Sequence, residues 1–303
     1  MSYSQVKNHP DSTTLYPPRP GLVRDVLGLF KLRIGFMIML TALVGIAVTP
    51  GALELWKVLT LALAVFLSSA SAGAFNQYYE FESDSLMART RNRAFVTGAL
   101  PHSPLWLLLI GLLLVISVGA AAVCLNPVSA GFVFLGAFFY AVVYTVWLKR
   151  RSAWNIVVGG LAGSFAVLAG AAAVDPSLGP LPWLLAAVLF LWTPPHFWSL
   201  AIANVEQYAA AGVPMLPVVV GVPRAATIVL WSTMALAITA LLPMFFGAGP
   251  VYFLGAFCGG GYFVVKAWRL ARAPSRRSAM ACFFASLVQL TLLLVAATLD
   301  RLI

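Results

Sequence analysis

Carboxylates are the scarcest thing in this chain: nine Asp and Glu among 303 residues, with charged residues at 9% of the total and hydrophobic ones at 61%. A soluble domain carries about 25% charged residues, so a water-soluble globule is excluded, and the mean hydropathy of +0.94 agrees. Alternating apolar and polar residues are also missing. Runs such as "LWLLLIGLLLVISVGAAAV" exclude a transmembrane β-barrel and require helices, which satisfy their own backbone hydrogen bonds in lipid. Only three cysteines occur (Cys124, Cys258 and Cys282), with no CxxC or Cys/His ligand spacing, and they read as small buried residues. An early apolar core with a cleavage site is absent too, so no signal peptide is expected.

What is present is a set of apolar runs near the length of about 20 residues that crosses a bilayer. Nine are expected, at 33–50, 55–79, 104–123, 128–148, 154–174, 181–203, 224–246, 249–268 and 279–299. Alternate loops then fall on opposite sides. Of the 19 Lys and Arg, 17 lie on the side holding the N-terminus, and only Lys57 and Arg301 lie on the other. The positive-inside rule places the rich side in the cytoplasm and the C-terminus outside. The net charge of +10 therefore implies topology and contact with anionic membrane lipid rather than nucleic acid.

Against that background "NQYYEFESDSLMARTRNR", 76–93, stands out: Glu80, Glu82 and Asp84 fall within five positions, followed by Arg89, Arg91 and Arg93. Asn76, Glu80 and Asp84 repeat every four residues. If the second span continues as a helix through them, they share one face at its cytoplasmic end. Hard oxygen ligands at that spacing suit Mg²⁺, which takes one or two carboxylates and completes its shell with water and phosphate oxygens. Arg89 and Arg93, again four apart, offer forks that match phosphate. The pattern points to a magnesium–diphosphate site; a solvated helix end with a salt-bridge network is the alternative.

The sixth span ends on the same side in "LFLWTPPHFWSLAIANVEQYAAAGVPMLPVVVG", 189–221. Glu206 and Tyr208 lie just beyond it. Pro194 and Pro195 are expected to kink or break the span beside His196, Phe197 and Trp198. Imidazole at that depth ligates a metal, bonds a polar substrate group, or bonds a neighbouring helix. Asn155 either orients the Lys149–Arg150 loop or caps a helix, while Trp147 and Trp154 read as interfacial belt aromatics.

These strings resemble one family. "WTPPHFWSLAI", "AGVPMLPVV" and the 76–93 segment are similar to the protoheme IX farnesyltransferases (heme O synthases), within the UbiA-type intramembrane prenyltransferases. "YAVVYTVWLKRRSAWNIVVGG", 140–160, and "LFKLRIG", 29–35, resemble further segments of that family, and the likeness covers about residues 25–300. It implies an all-α integral membrane protein: nine helices in a UbiA-like bundle with a central apolar chamber open near the cytoplasmic face, formed by one domain, 25–303, after a cytoplasmic tail, 1–24. It implies transfer of farnesyl from farnesyl diphosphate to the 2-vinyl group of heme B, with water added, in the cell inner membrane. Heme-handling or oxidase-assembly partners would belong to that setting. Mg²⁺ would be held by Asn76, Glu80, Asp84 and, in a second half-site, Glu206. Lys31, Arg33, Arg89, Arg93, Lys149 and Arg150 would meet phosphate; Tyr140, Tyr144, Phe197, Trp198 and Tyr208 would line the chamber; His196 would contact heme.

The chain departs from the family pattern in several places. Glu80 stands for Asp, Leu32 and Ala94 for Pro, and Val205 for a basic residue; 164–171 lacks the usual Pro-Pro and Trp. The second acidic motif, Asp-Asp-Tyr, reads Glu206-Gln207-Tyr208. Glu80 keeps a ligand, whereas Gln207 loses a charge and weakens the second half-site. A prenyltransferase with another acceptor and a non-catalytic heme-binding paralogue are the rival readings.

Overall fold

The computed structural model describes residues 21–301; the expected tail up to Pro20, including Lys7 and Arg19, lies outside the described residues. Those residues form helices and turns with no strand among them. In chain order they are α1 (Leu22–Leu29), α2 (Leu32–Val48), α3 (Leu55–Tyr79), α4 (Phe81–Ser85), α5 (Leu105–Cys124) and α6 (Pro127–Phe138). A π-helical stretch, Phe139–Leu148, extends α6. Then come α7 (Asn155–Gly159), α8 (Leu161–Val174), α9 (Pro180–Ala203), α10 (Val205–Ala210), α11 (Leu216–Val220), α12 (Val222–Thr239), α13 (Pro250–Arg272) and α14 (Arg276–Leu299). Among the described residues eight segments are long and apolar enough to cross a membrane, and α1 with α2, bent by 41°, makes up to nine. This is a multi-pass membrane protein.

Local sequence starts these helices where they start. Pro127, Pro180 and Pro250 occupy first-turn positions, where the missing N–H costs nothing. Asn126 caps α6 by accepting from the Ser129 N–H at 2.9 Å. Asp300, beyond the end of α14, accepts from the amides of Val251 and Tyr252 at the start of α13 (3.1 and 3.2 Å), so the last carboxylate of the chain is a cap in trans.

Each spanning helix packs on its sequence neighbour, and α14 meets α2, which closes the bundle. Small residues allow the closest crossing. A Cβ on Gly45 of α2 would overlap the Val167 carbonyl, and one on Gly170 of α8 would overlap that of Ala42. The buried core runs in one cluster from α8 through α9, α12, α13 and α14, and in a second among α2, α3, α5, α6 and α8. Many large apolar side chains, Leu108 and Val115 of α5 among them, face outward, as lipid contact requires.

Several expectations need correction. The second span does not continue unbroken through the acidic motif: α3 stops at Tyr79, and Glu80 sits at φ −100°, ψ 10°. Its carboxylate pairs with Lys149. The four-residue step survives, because Glu80 N–H bonds Asn76 O at 3.1 Å and Asp84 N–H bonds Glu80 O at 2.9 Å. Pro194 and Pro195 do not break α9, which is one helix from Pro180 to Ala203; helices packed on several sides hold it together. Of the cysteines only Cys282 is buried; Cys258 is exposed and Cys124 half-buried, as a lipid-facing thiol can be without penalty. α13 and α14 also run past the apolar spans into basic residues, which helices tolerate once their charged heads reach water.

Candidate active site

The acidic motif is gathered at one end of a cavity of about 1080 Å³. Along α3 the lining residues are Val65, Ser68, Ser69, Ala72, Gly73, Asn76 and Gln77, a 3.6-residue stripe. At 1.5 Å per residue the stripe spans about 18 Å. One end is polar, with Lys31, Asn76, Arg93 and Lys149; the other is apolar, with Ile38, Val65, Phe132, Ala166 and Ala169.

At the polar end the two buried carboxylates each have a cationic partner. Glu80 pairs with Lys149 and Asp84 with Arg93. Lys31 donates to Asn76 Oδ1 at 2.6 Å and to the Tyr140 hydroxyl at 3.1 Å. Asn76 Nδ2 donates to Glu80 Oε2 at 2.8 Å and to Thr145 Oγ1 at 3.0 Å. Both carboxylates are 1% exposed. Burial pushes the Asp84 carboxyl up from its ordinary value against the pull of Arg93, and pushes the Lys149 ammonium down against the attraction of Glu80.

Local geometry explains this convergence. The π-helical stretch closes with Lys149 N–H on Tyr144 O at 2.9 Å, and its wider turn stacks Tyr140 on Tyr144 with centroids 5.7 Å apart. Asn155, fully buried, donates to the carbonyls of Ser152 (2.7 Å) and Lys149 (3.3 Å), so it fastens the loop that carries Lys149. Thr90 donates to Asp84 O at 2.8 Å and pins the turn that carries Arg89 and Arg93. Lys31 sits at the α1–α2 bend with φ 49°, held from α3 by Gln77, whose amide donates to Gly28 O and Leu29 O, both at 2.9 Å.

Of the residues expected from the sequence, Lys31, Asn76, Arg89, Arg93, Tyr140, Tyr144, Lys149, Phe197 and Tyr208 line the cavity. Glu80 and Asp84 are bonded directly to lining side chains. Glu206, Arg33 and Arg150 are exposed and not part of the wall. Trp198 is buried away from it. His196 faces α14: its Nδ1 meets Ser286 Oγ at 2.6 Å, and its ring stacks on Trp192 and Phe283 at 4.2 and 4.6 Å. That is the helix-to-helix arrangement named above as one alternative. The sequence reading did not pick out Arg24 and Asp25 of α1, Gln77, Asn92 or Thr145. The pattern "LVRDVLGL" carried a usable signal, an amphipathic turn ahead of the first span; Thr145 carried none.

A divalent ion fits the first motif and not the expected full set. Glu80 Oε1 and Asp84 Oδ1 are buried without any hydrogen-bond partner, and two such oxygens are the usual protein share of a Mg²⁺ shell. Among the described residues no cluster of three or more Asp, Glu, His and Cys is placed to bind a metal, and Glu206 does not join the pair.

The chain can be set beside known proteins on this basis. It is 55% identical over 282 residues, 93% of this chain and 98% of the relative, to "Protoheme IX farnesyltransferase 2" of Paramagnetospirillum magneticum. It is 46% identical to "Protoheme IX farnesyltransferase 1" of the same organism, over 92% of this chain and 98% of the relative. The fold matches a digeranylgeranylglyceryl phosphate synthase structure at TM-score 0.78 and 15% identity, over 92% of this chain and 98% of that one. It also matches a UbiA homolog from Archaeoglobus fulgidus bound to GPP and Mg²⁺ at TM-score 0.67 and 16% identity, over 93% and 98%. Residues 38–288 match the UbiA prenyltransferase family. With the helical bundle and the acidic motif at the cavity end, these likenesses establish that the chain belongs to the UbiA prenyltransferase family.

Proposed function

We propose that this prenyltransferase moves a farnesyl group from farnesyl diphosphate to the 2-vinyl group of heme B, giving heme O after addition of water. The observation that carries the proposal is the cavity with one cationic–acidic end and one apolar end, in a chain 55% identical to a relative named for this reaction. Lys31, Arg89, Arg93 and Lys149 bind the diphosphate oxygens. Asn76, Glu80 and Asp84 would hold a magnesium ion, which would supply neutralising charge for the departing diphosphate.

The C1–O bond breaks with its electrons leaving on diphosphate, and the vinyl π electrons form the new bond to C1. Water then adds to the cation left on the vinyl carbon and loses a proton. Tyr140, Tyr144 and Phe197 present ring faces to the allylic cation and keep bulk water away. The isoprenoid tail lies in the apolar end of the cavity, against Ile38, Val65, Phe132, Ala166 and Ala169. His196 acts as a positioning residue that fastens α9 to α14 and so sets Phe197 in the wall.

The protein works in the cell inner membrane as one domain, 25–303, with its N-terminus cytoplasmic. A reporter fused after Ile303 should score outside; a cytoplasmic score would overturn the topology.

The decisive assay follows diphosphate release from labelled farnesyl diphosphate with Mg²⁺, with and without heme B. Release that needs both supports the proposal, and release with another acceptor replaces heme. The exposed Glu206 and the uncharged Gln207 favour a second reading, a heme-handling protein without turnover. Heme binding without any release would establish it.

A further inference from the structure

The basic residues at the turn between α13 and α14 do something that topology does not require. Lys266, Arg269, Arg272, Arg276 and Arg277 fall within twelve positions containing no carboxylate. Three of them, Lys266 and Arg269 from α13 and Arg277 from α14, converge on a cleft of about 470 Å³ completed by Ser275 and Ser278. That volume is in the range of small-ligand sites, about 300–1,000 Å³. None of the three ion pairs among the described residues involves these cations, whereas Arg93 and Lys149 beside the catalytic cavity are each paired. The two serines are engaged locally: Ser278 donates to Ala273 O at 2.8 Å, and Ser275 Oγ accepts from Ser278 N–H at 3.1 Å. The unsatisfied donors in the cleft are therefore the cationic groups.

Aromatic rings lie against two of these cations. Lys266 lies 5.2 Å from the ring centre of Tyr262, and Arg272 lies 4.7 Å from that of Trp268. Both rings are nearly half exposed, as in the belt where bilayer meets water. A spread of positive charge would serve the positive-inside rule equally well on exposed loop tips. Here the exposed Arg269 and Arg277 come from two helices onto one cleft.

We propose that this cleft is a phosphate-binding site at the membrane surface, with Arg269 and Arg277 gripping the phosphate oxygens and Lys266 adding a point charge. The phosphate comes from an acidic phospholipid headgroup or from free inorganic phosphate, and the site is separate from the prenyl-transfer cavity.

The test is isothermal titration of the full-length, detergent-solubilised protein with three probes: short-chain phosphatidylglycerol, short-chain phosphatidylcholine and inorganic phosphate. Phosphatidylglycerol is expected to bind saturably at one site. Phosphatidylcholine should bind at least tenfold more weakly, because its choline cation meets the basic cleft. Arg269→Gln/Arg277→Gln should weaken phosphatidylglycerol about thirtyfold, the change expected for removing two surface cations. An equal loss of charge at the exposed Arg151 and Arg224, Arg151→Gln/Arg224→Gln, should change it less than threefold. Arg269→Lys/Arg277→Lys keeps the charge and should recover most of the affinity. It also gives a folded comparison should the glutamine variant fail to fold, with thermal midpoints recorded for all. Inorganic phosphate binding as tightly as the lipid would assign the site to the free anion. No saturable binding of any probe, or equal weakening by both glutamine variants, overturns the proposal.

Discussion

The two acidic motifs of this chain have had opposite fates. In the first, Asn76 and Glu80 are bonded to each other and to Lys31 and Lys149, and Asp84 pairs with Arg93, all at the end of the cavity. In the second, Tyr208 reaches the cavity wall, but Glu206 points out and Gln207 makes only a 3.5 Å contact with Asn204. The first motif begins on the last turn of α3 and crosses the break at Glu80 into the short α4, where the bonds from Glu80 N–H to Asn76 O and from Asp84 N–H to Glu80 O keep its four-residue step. The second begins a six-residue helix after an irregular Asn204 (φ −129°, ψ 28°), and the direction of each side chain depends on how α10 is turned. On such short segments tertiary contacts decide the geometry: ion pairs with Lys149 and Arg93 hold the first motif, and among the described residues Glu206 makes no such pair.

The hardest break in that contrast is Asp84→Asn. It removes the charge from the carboxylate that offers a free buried oxygen, and turnover should fall by at least about a hundredfold. The elution profile and thermal midpoint should stay close to wild type. Activity equal to wild type would reduce the first motif to a buried structural ion-pair network.

Lys149→Met comes next. It leaves Glu80 buried without its cation, which costs roughly 3 kcal/mol when a buried pair loses one partner. Adding Glu80→Gln should recover most of that stability in a denaturant melt, because the uncompensated charge is gone. If both variants melt alike, the pair contributes nothing to the fold.

Gln207→Asp sharpens the comparison from the other side. If α10 turns its acidic face to the diphosphate, an added carboxylate should move the magnesium half-saturation of the initial rate down several-fold, since ligand charge tunes divalent affinity. An unchanged half-saturation in an active enzyme would leave the first motif as the sole metal holder. The smallest effect belongs to Glu80→Asp, which keeps both charge and ligand type; its rate should stay within about threefold of wild type. A larger loss would show that the longer side chain is needed to reach Lys149.

Much of the architecture was legible beforehand, for reasons these residues illustrate. Spans such as 55–79 and 181–203 were readable because lipid demands long apolar helices, and α3 and α9 lie within a residue of them. The Asn76–Glu80–Asp84 cluster was readable because its spacing matches the helix repeat. The corrections fall where a side chain's surroundings matter more than its neighbours in sequence. Glu80, at the end of α3, pairs with Lys149, 69 positions away, a partner that spacing along the chain does not reveal. Pro194 and Pro195 stay inside a helix braced by α8, α12 and α14.

By itself, then, the sequence determined that the chain is helical and membrane-spanning, and which short segment concentrates acid and base. Hydrophobicity and helical periodicity are local properties, and they need no partner to act. Tertiary structure alone decided that the wide turns of Phe139–Leu148 bring Tyr140 and Lys149 to that segment. It also directed His196 toward Ser286 and left Glu206 outside the cavity wall. Those outcomes depend on how helices far apart in the chain rotate and cross, which packing settles only after the helices exist.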